Sequence, residues 1–506
     1  MPISLSHLVL LILILYLINK IYALYIYVKN YIIVQKLPGP PRGGIIMGNI
    51  AGFGNTAEAA FENTLKISKE FYPIFSVHAV HLTSVFVLSP DDCELILSNP
   101  IHNEKGFMYK LIHKWLRFGL LTSFGTKWQT RRKILTPAFH FSILQQFVSV
   151  FNEQAEQLIE ILSAECNKSY IKVNSVLTQF TLKTISETAM GTKLEFKNKK
   201  DQAYKKAIYD IGEILAYRFI HPWCMAEIGN LLFNSSFFKE RKAVNILHQF
   251  TREVIEEKEK NFVDTDLPKE EHDVYKGKRK LAMLDLLLSA KKNGRIIDNE
   301  GIREEVDTFM FEGHDTITTA LSFMLMLLAN NKDVQERIYS ELVEIFGENF
   351  NENPTYNELQ NLKYLERCIK ESLRLYPSVF FMARNLGEDL KTASGYLLPK
   401  GTQVVMYIYP MHRNPDLYPD PDKFDPDRFL PENCQHRHPY AYIPFSAGSR
   451  NCIGQKFAIL EMKVVLCAIL RKFFLEPVDT PQSIVLIIDI ILRTKDEIKV
   501  KFVPRD

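Results

Sequence analysis

Apolar positions follow one another almost without interruption at the start of the chain. From Ile3 to Val28 the residues are mostly Leu, Ile, Tyr and Val, interrupted by a few polar residues such as His7 and Lys20. A helix of this length crosses a bilayer core of about 30 Å. Neither a basic start nor a small-residue cleavage site precedes its end, so the pattern predicts a membrane anchor over residues 1–30 rather than a cleaved signal peptide.

A change of pattern follows this apolar run. Its basic residues lie towards or beyond its C-terminal side, at Lys20, Lys29, Lys36 and Arg42, and this asymmetry keeps the rest of the chain in the cytosol. The segment LPGPP begins at Leu37, and its prolines stop a helix and stiffen the connection. We therefore expect a proline-rich hinge over residues 31–45, after a single-pass anchor.

The remaining chain is patterned mainly as helix. Most segments place apolar residues at helical spacing, while Ser84–Ser89 and Gln403–Tyr409 read as short strands. No internal repeat or low-complexity tract is present, and residues 261–280 are dense in charge, as expected of a solvated loop. The pattern predicts a mainly α fold with small β-sheets (α+β), in one large domain over residues 46–506.

Composition excludes several classes of protein. The 506 residues are 46% hydrophobic, which allows a large core, and carry a net charge of only +3, so no nucleic-acid partner is expected. The seven cysteines are scattered without CxxC spacing. They support neither a disulfide framework nor a zinc ribbon, and they suit a reducing compartment.

The strongest chemical signal is a loop near the C-terminus with the sequence FSAGSRNCIG, from Phe445 to Gly454. Gly448 and Gly454 allow tight turns or close approach to a bulky group, and Arg450 offers a fork of donors suited to a carboxylate. An apolar helix follows Cys452, and we expect its positive end to keep that thiol deprotonated. A buried structural cysteine is the plain alternative.

This loop resembles the haem-ligand signature of the cytochrome P450 superfamily. The resemblance implies that Cys452 is the axial thiolate ligand of haem b (iron protoporphyrin IX). It also implies the cytochrome P450 fold, in which the haem lies between a long central helix and the cysteine loop.

A second motif lies in a long proline-free segment, residues 301–329. Asp315 and Thr316 are unusual in a buried helix, and a Thr hydroxyl bonded to a backbone carbonyl, beside Gly313, loosens the helix. An acid beside an alcohol can relay protons inward. The solvent-exposed face of an amphipathic helix is the alternative explanation for this motif taken alone.

The twelve residues from Glu305 to Thr316 resemble the signature of P450 family 4, the group that includes fatty-acid omega-hydroxylases. Ile317 stands where a second threonine is usual. The resemblance implies that Glu312, one turn before Thr316, can become esterified to a haem methyl group. A carboxylate paired with a cation in the core is the alternative for Glu312.

Further residues are expected to support the cofactor. Glu371 and Arg374 share a face of the predicted helix Leu362–Leu375, and with Arg428 they resemble the superfamily's structural triad of one glutamate and two arginines. Cations for the haem propionates are expected from the Trp128–Arg132 pattern, from Arg384 and from Arg450; these cofactor-binding predictions comprise Trp128, Arg132, Glu312, Arg384, Phe445, Gly448, Arg450, Cys452 and Gly454.

Dioxygen activation requires two electrons, and the sequence has no GxGxxG nucleotide fingerprint or flavin segment to deliver them. The resemblance implies NADPH–cytochrome P450 reductase as donor, with cytochrome b5 as a second candidate, and the endoplasmic reticulum membrane as location. A basic docking face is expected from Lys127, Arg131, Lys133, Lys456 and Lys463.

Together these features predict a membrane-bound monooxygenase that inserts one oxygen atom of O2 into a C–H bond of a fatty acid or similar lipid, with Asp315 and Thr316 delivering protons. The expected substrate cavity is apolar and is formed by Phe309, Phe311, Val379, Phe380, Phe381 and Met382, with Val485 and Leu486 as weaker candidates. A haem-thiolate isomerase or dehydratase of lipid peroxides and a non-catalytic haem-binding protein are the alternatives.

Overall fold

The computed structural model describes residues 5–41, 43, 48–49, 52–79, 82–193, 199–260, 282–292, 294, 297–347, 350 and 352–505. The predicted charged loop at 261–280 and Arg42 lie outside these residues. The described helices are α1 (Leu5–Val34), α2 (Ala57–Glu70), α3 (Pro90–Leu97), α4 (His113–Leu116), α5 (Gly125–Leu135), α6 (Phe141–Glu165), α7 (Val173–Ile185), α8 (Lys199–Ile220), α9 (Glu227–Phe233), α10 (Phe237–Lys260), α11 (Met283–Lys292), α12 (Asn299–Asn330), α13 (Lys332–Phe346), α14 (Tyr356–Asn361), α15 (Lys363–Leu375), α16 (Ile408–Met411), α17 (Pro431–Cys434) and α18 (Gln455–Lys472).

The strands are short, and the helices outweigh them, as predicted. They are β1 (Ile74–Ala79), β2 (Leu82–Val87), β3 (Glu104–Lys105), β4 (Ile171–Lys172), β5 (Phe381–Asn385), β6 (Leu390–Lys391), β7 (Leu397–Leu398), β8 (Gln403–Tyr407), β9 (Phe473–Pro477), β10 (Leu486–Ile487), β11 (Arg493–Thr494) and β12 (Lys499–Pro504). The mainly α fold with small β-sheets is thereby confirmed.

The largest sheet has the strand order β1-β2-β8-β5-β3. Its only parallel pair within the described residues is β2 with β8, where Val85 lies opposite Val404. The order β4-β12-β9 forms a second sheet, while β6-β7 and β10-β11 are two-stranded. The pairing of β5 with β8 fixes the position of the residues just before β5, and among these Phe380 is buried in the core.

The long helix α12 runs through the core, as its uninterrupted apolar pattern predicts. It contacts α7, α10, α15 and α18, and most of its residues from Gly301 to Ala329 are buried. Asp298 caps its first turn by accepting a hydrogen bond from the Gly301 amide at 2.7 Å. At 1.5 Å per residue, a helix of 32 residues is about 48 Å long, so one element connects several layers of the fold.

The N-terminal helix α1 is the candidate membrane span. Residues Leu10–Val34 are long and apolar enough to cross a membrane, and the most apolar stretch of this segment is not buried inside the protein. Two consecutive helical segments, Gly125–Phe139 and Phe141–Glu165, are bent by 59° against each other and are together also long and apolar enough to cross a membrane. Their apolar side chains, such as Leu135 and Phe151, lie in the protein core.

Helix α1 extends past residue 30, the predicted end of the anchor. The helix continues to Val34, which is buried, and Asn30 donates a hydrogen bond to the Lys400 carbonyl at 3.0 Å. The ring of Tyr31 lies edge-on to His78, with 5.1 Å between ring centres. Contacts with the body explain why the helix does not stop at residue 30.

Candidate active site

Cys452 lies in the loop before α18 and faces an internal cavity. Its amide donates to the Phe445 carbonyl at 2.9 Å, which closes the loop on itself. The side chain is open to the cavity, while the surrounding protein raises the pKa of the thiol to about 11 through burial and the nearby Glu312 charge. The Gly454 amide and Arg132 oppose this shift.

Burial therefore outweighs the helix-end effect that was predicted to keep this thiol deprotonated. The helix begins at Gln455, three residues after Cys452, so the positive helix end has less influence than expected. A neutral thiol at pH 7 needs a strong positive partner, such as a metal ion, to become a thiolate.

The two loop glycines have different physical roles. Gly448 has φ of +71°, and a Cβ there would lie 1.9 Å from the Leu97 carbonyl oxygen. Gly454 has an ordinary φ of −90°, and a Cβ there would meet nothing closer than 3.9 Å, with the Cys452 sulfur among its neighbours. The tight turn is therefore required at Gly448, whereas Gly454 keeps the space beside the sulfur open.

The cavity at Cys452 spans about 1360 Å³, part of which is open to solvent, and brings together distant parts of the chain. We call it the cysteine cavity. It joins α5, α12, the segment leading into β5 and the cysteine loop. Its walls include most of the predicted cofactor residues and part of the predicted substrate set: Trp128, Arg132, Phe309, Glu312, Thr316, Val379, Met382, Phe445, Arg450, Cys452 and Gly454.

Arg450 and Arg132 are both held firmly at this cavity. Arg450 donates to the carbonyls of Asn103, Leu120, Leu121 and Ser123 at 2.8–3.0 Å, and its guanidinium lies 4.8 Å from the Trp128 ring centre. Arg132 donates to the backbone and side-chain oxygens of Asn451. The predicted one-turn spacing of Trp128 and Arg132 on a helix is present in α5.

Half-buried Lys105 and buried Arg384 and Arg450 lie close enough here to repel one another, and Glu312 is the carboxylate that interacts with Lys105 and Arg450 among the described residues. Burial and the charges of Arg384 and Arg450 together hold the pKa of Lys105 well below its usual value. The pKa of Arg450 is lowered to about 9, by burial first and by Arg384 next. One buried Arg384 nitrogen, Nη2, has no hydrogen-bond partner. Such a cluster fits the two propionates of a haem, and a cavity of this size fits its ring.

Lys105 and Tyr109 are cavity residues that the sequence reasoning missed. Lys105 lies in the two-residue strand β3, with its ammonium group 4.8 Å from the Tyr109 ring centre. No motif or periodicity marks either position in the sequence. They reach the cavity because β3 pairs with β5, where Lys105 lies opposite Arg384.

Thr316 makes the predicted bond to a backbone carbonyl, but without the predicted loosening of the helix. Its hydroxyl donates to the Glu312 carbonyl at 2.7 Å, one turn earlier, and the Ser378 hydroxyl donates to the Thr316 carbonyl at 2.7 Å. The helix continues without a break through this turn. Glu312 also lines the cavity, and burial raises the pKa of its carboxyl to about 7, against the charges of Lys105 and Arg450.

Asp315, the other half of the acid and alcohol pair, has a different neighbourhood. It is buried and is absent from the described lining of the cysteine cavity. Its Oδ2 lies 2.6 Å from Arg493 Nη2, at the start of β11. The sequence singled out Asp315 correctly as a buried acid, but gave no indication of Arg493.

Two further cavities adjoin the first. The hairpin cavity, of about 800 Å³, shares Glu312, Thr316 and Val379 with the cysteine cavity and is also lined by Phe311, Phe381 and Ile488–Ile491. The sheet cavity, of about 910 Å³, shares Phe381 and Ile488 with the hairpin cavity and includes Phe380. The three cavities are therefore neighbours that share lining residues, and Cys452 lies in the first of them.

The two weaker candidates for the substrate cavity, Val485 and Leu486, lie outside the described cavity walls. Val485 is 43% exposed. Residues 488–491, just beyond β10, take that place because the turn between β10 and β11 folds inward.

The predicted structural triad is assembled. Arg374 donates to both carboxylate oxygens of Glu371, at 2.7 and 2.8 Å, and both side chains are fully buried. Arg428 Nε lies 3.4 Å from Glu371, and its Nη2 donates to the Asp420 carbonyl. Arg374 also donates to the His412 and Pro421 carbonyls, so the network joins α15 to the segment before the cysteine loop.

The predicted basic docking face is partly wrong. Lys463 is 1% exposed and donates to Glu366 and the Leu359 carbonyl, and Arg131 is buried near Glu305. Lys127 is half-exposed and pairs with Glu304 on α12 at 2.7 Å. Helical spacing placed these cations correctly on helices but could not show which face is covered. Lys133 and Lys456 are exposed.

Comparison with known proteins agrees over almost the whole chain. A family model described as Cytochrome P450 matches residues 38–502. Cytochrome P450 4c3 of Drosophila melanogaster is 42% identical over 485 residues, which cover 94% of this chain and 90% of that protein. Cytochrome P450 4V2 of Rattus norvegicus is 39% identical over 497 residues, 96% and 93% of the two chains, and its human counterpart is 38% identical over 485 residues, 95% and 92%.

Proposed function

The chain belongs to the cytochrome P450 superfamily, within its family 4, and we propose that it hydroxylates an aliphatic lipid inside the cysteine cavity and its two neighbours. Membership makes the protein a haem-thiolate monooxygenase that uses dioxygen and an external electron donor. Bound haem supplies the iron at which dioxygen is activated. The observation that carries the proposal is the group of three neighbouring cavities, with a cysteine and buried cations in the first and apolar walls in the others.

We assign Cys452 as the iron ligand. Trp128, Arg132, Arg384 and Arg450, with Lys105, would balance the propionates, while Phe445, Gly448 and Gly454 shape the loop. The support is the unpaired Arg384 nitrogen, the mutual repulsion of the cations and the sulfur that faces the cavity. The test is the reduced carbon monoxide spectrum: Cys452→Ser should lose the thiolate band, while Cys434→Ser, a half-buried cysteine outside the described cavities, should keep it.

Proton delivery is assigned to Asp315 and Thr316. The Thr316 hydroxyl lies on the cavity wall and donates its proton to the Glu312 carbonyl, which leaves its oxygen lone pairs available to a water in the cavity. Asp315 directly precedes Thr316 in the buried part of α12. Thr316→Ala should lower product formed per NADPH, and Thr316→Ser should restore it, because serine keeps the hydroxyl.

The substrate is proposed to be an aliphatic chain, attacked at or near its end. The support is the set of apolar walls at Phe309, Phe311, Val379, Phe380, Phe381 and Met382, together with family membership. Incubation with reductase, NADPH and laurate, followed by product identification, tests this directly. Dodecanol and dodecane form a matched series that separates recognition of the chain from recognition of its head group.

A covalent link between Glu312 and the cofactor is a separate proposal. Its carboxyl lines the cavity with a pKa raised to about 7, so its ionised form is present at physiological pH beside the neutral one. During turnover the carboxylate would form an ester with a haem methyl group, which loses two electrons to O2-derived oxidant and releases a proton. Acidic organic extraction of turned-over protein should retain haem on the wild type and release it from Glu312→Ala; complete release from both contradicts the ester.

The electron donor is proposed to be NADPH–cytochrome P450 reductase, with cytochrome b5 as an additional donor, at the endoplasmic reticulum membrane. The support is the exposed helix α1 and the exposed cations Lys133 and Lys456. Charge reversal at Lys456 should raise the reductase concentration that gives half-maximal rate. Reversal of Lys242, an exposed residue on α10, is the matched control.

A further inference from the structure

Arg493 joins two buried carboxylates at the edge of the hairpin cavity. Its Nη2 lies 2.6 Å from Asp315 Oδ2 and its Nε lies 2.6 Å from Asp489 Oδ2. All three side chains are buried or nearly so, with exposed fractions of 16% for Arg493, 4% for Asp315 and 7% for Asp489. A planar guanidinium can serve two acids through different nitrogens at once, which the ammonium of lysine does with less geometric control.

The segment that carries this arginine also forms a wall of the cavity. Ile488–Ile491 line the hairpin cavity together with Thr316 and Glu312, and Arg493 follows two residues later, at the start of β11. The Leu492 amide donates to the Ser378 carbonyl at 2.8 Å, and the Ser378 hydroxyl donates to the Thr316 carbonyl. The turn between β10 and β11 is therefore attached to α12 at both Asp315 and Thr316.

The surroundings of Arg493 leave little room for other arrangements. The Tyr209 ring centre lies 5.2 Å from the guanidinium carbon. A Cβ at Gly212 of α8 would lie 2.9 Å from an Asp489 carboxylate oxygen, so α8 approaches this carboxylate as closely as glycine allows. A movement of the turn would therefore shift Asp489 and Arg493 together, and Asp315 with them.

We propose that Arg493 is a positioning residue that ties the orientation of Asp315 to the position of the substrate-contacting turn Ile488–Ile491. A lipid in the hairpin cavity presses on this turn, and Arg493 transmits the displacement to Asp315. Proton delivery beside Thr316 then depends on whether the cavity is filled. This inference rests on the proposed role of Asp315 and adds a connection to the substrate that α12 alone does not contain.

The test compares Arg493→Gln, Arg493→Lys and Asp315→Asn in the full-length, haem-loaded enzyme with a lipid that the wild type turns over. We expect Arg493→Gln to lower product per NADPH by about tenfold, a size typical of coupled contact residues, and to raise hydrogen peroxide accordingly. Arg493→Lys should give a product yield per NADPH between those of the wild type and Arg493→Gln, since lysine keeps the charge but lacks the planar guanidinium. If Arg493→Gln folds poorly, Arg493→Lys replaces it as the test variant. The reduced carbon monoxide spectrum shows in each case whether the haem site is intact.

Two comparisons separate this role from a general effect on the fold. The double variant Arg493→Gln/Asp315→Asn should form as much product per NADPH as the poorer single variant, because both changes break the same connection. We call this yield of product per NADPH the coupling. Lys495→Gln removes another cation of the same hairpin, one that pairs with Glu58 at the surface, and should leave coupling unchanged. Substrate-induced spectral titrations separate altered binding from altered coupling.

Wild-type coupling in both Arg493 variants, or additive losses in the double variant, would overturn the inference. A separate outcome concerns the proposed function: if Asp315→Asn itself couples like the wild type, the assignment of Asp315 to proton delivery fails, whatever Arg493 does. A loss confined to substrate affinity, with coupling intact, would make Arg493 a part of the cavity wall only and would also contradict the inference.

Discussion

Arg132 holds Asn451, the residue directly before Cys452, by two hydrogen bonds. Nη1 donates to the backbone oxygen at 2.8 Å and Nη2 to Oδ1 at 2.9 Å. This pair connects α5 to the cysteine loop at the point where the loop meets the cavity. Any movement of α5 is therefore transmitted to the position of the Cys452 sulfur.

Replacement of Arg132 by lysine should weaken retention of the cofactor. Lysine has no planar fork and cannot make both bonds, and the loss of a charge-assisted hydrogen bond costs about 2 kcal/mol. We expect haem to transfer severalfold faster from Arg132→Lys to apomyoglobin. Lys133→Arg, a change at the next, exposed position, is the control, and equal transfer rates for Arg132→Lys and the wild type would count against the connection.

Loss of the Glu371 charge should destabilise the protein strongly. Glu371→Gln leaves Arg374 buried without its carboxylate, and breaking a buried ion pair typically costs about 3–5 kcal/mol. Urea unfolding followed by circular dichroism measures the change. The matched control is Glu476→Gln, whose pair with Lys501 is exposed at 38% and 43% and should contribute little because solvent screens it. Similar losses for both variants would contradict the assignment of Glu371 to the buried network.

Gly448→Ala should disrupt the cysteine loop by a steric clash. The new Cβ would lie 1.9 Å from the Leu97 carbonyl oxygen, at a φ of +71°. Gly395→Ala has a similar φ of +91° but open space around it, so it should cost only the backbone strain of about 1–2 kcal/mol of unfolding free energy. If both variants have equal stability and equal haem content, the close approach of Gly448 to Leu97 is not what requires glycine in the loop.

Acid should destabilise the protein partly through His248. Burial and then the charges of nearby arginines outweigh a hydrogen bond to the Trp115 carbonyl and lower the histidine pKa to about 4. Asp307 lies 3.7 Å away, but its carboxylate pairs with Arg303 at 2.8 Å. The lowered pKa leaves the His248 ring neutral near pH 7, so His248 and Asp307 do not form an ion pair.

The sign of the pH effect follows from the lowered pKa of His248. The fold favours the neutral ring, so this stabilisation is complete above pH 6.5 and is lost as the pH falls from 6.5 to 4. Over that range the wild type should lose about 3 kcal/mol relative to His248→Gln. Parallel unfolding curves at pH 7 and pH 4.5 measure the difference, and an unchanged difference would show that His248 does not titrate in this range.

Several site residues could be predicted because their relationships are local. Thr316 and Glu312 are one helical turn apart, as are Trp128 and Arg132, and Glu371 and Arg374 are three residues apart, so helical geometry alone brings each pair to one face. Cys452 and Gly448 lie in one ten-residue loop. In these cases spacing along the chain is nearly equivalent to distance in space.

Other outcomes could not be predicted, because they depend on which element covers which face. Lys463 has the spacing of a surface cation on an amphipathic helix, yet it is buried against Glu366. Lys105 reaches the cavity only through the pairing of β3 with β5. Burial also changed the chemistry, since it raises the pKa of Cys452 to about 11 where a helix end alone favoured a thiolate.

The sequence by itself determined the helical fold, the candidate membrane helix and the loop that presents Cys452, because apolar periodicity, prolines and glycines act on their immediate neighbours. Only the tertiary structure decided that Arg493 pairs with Asp315, 178 residues earlier in the chain, and that three cavities share walls. Such contacts arise when distant segments pack together, and the energy of a buried charge depends on that packing rather than on its position in the chain.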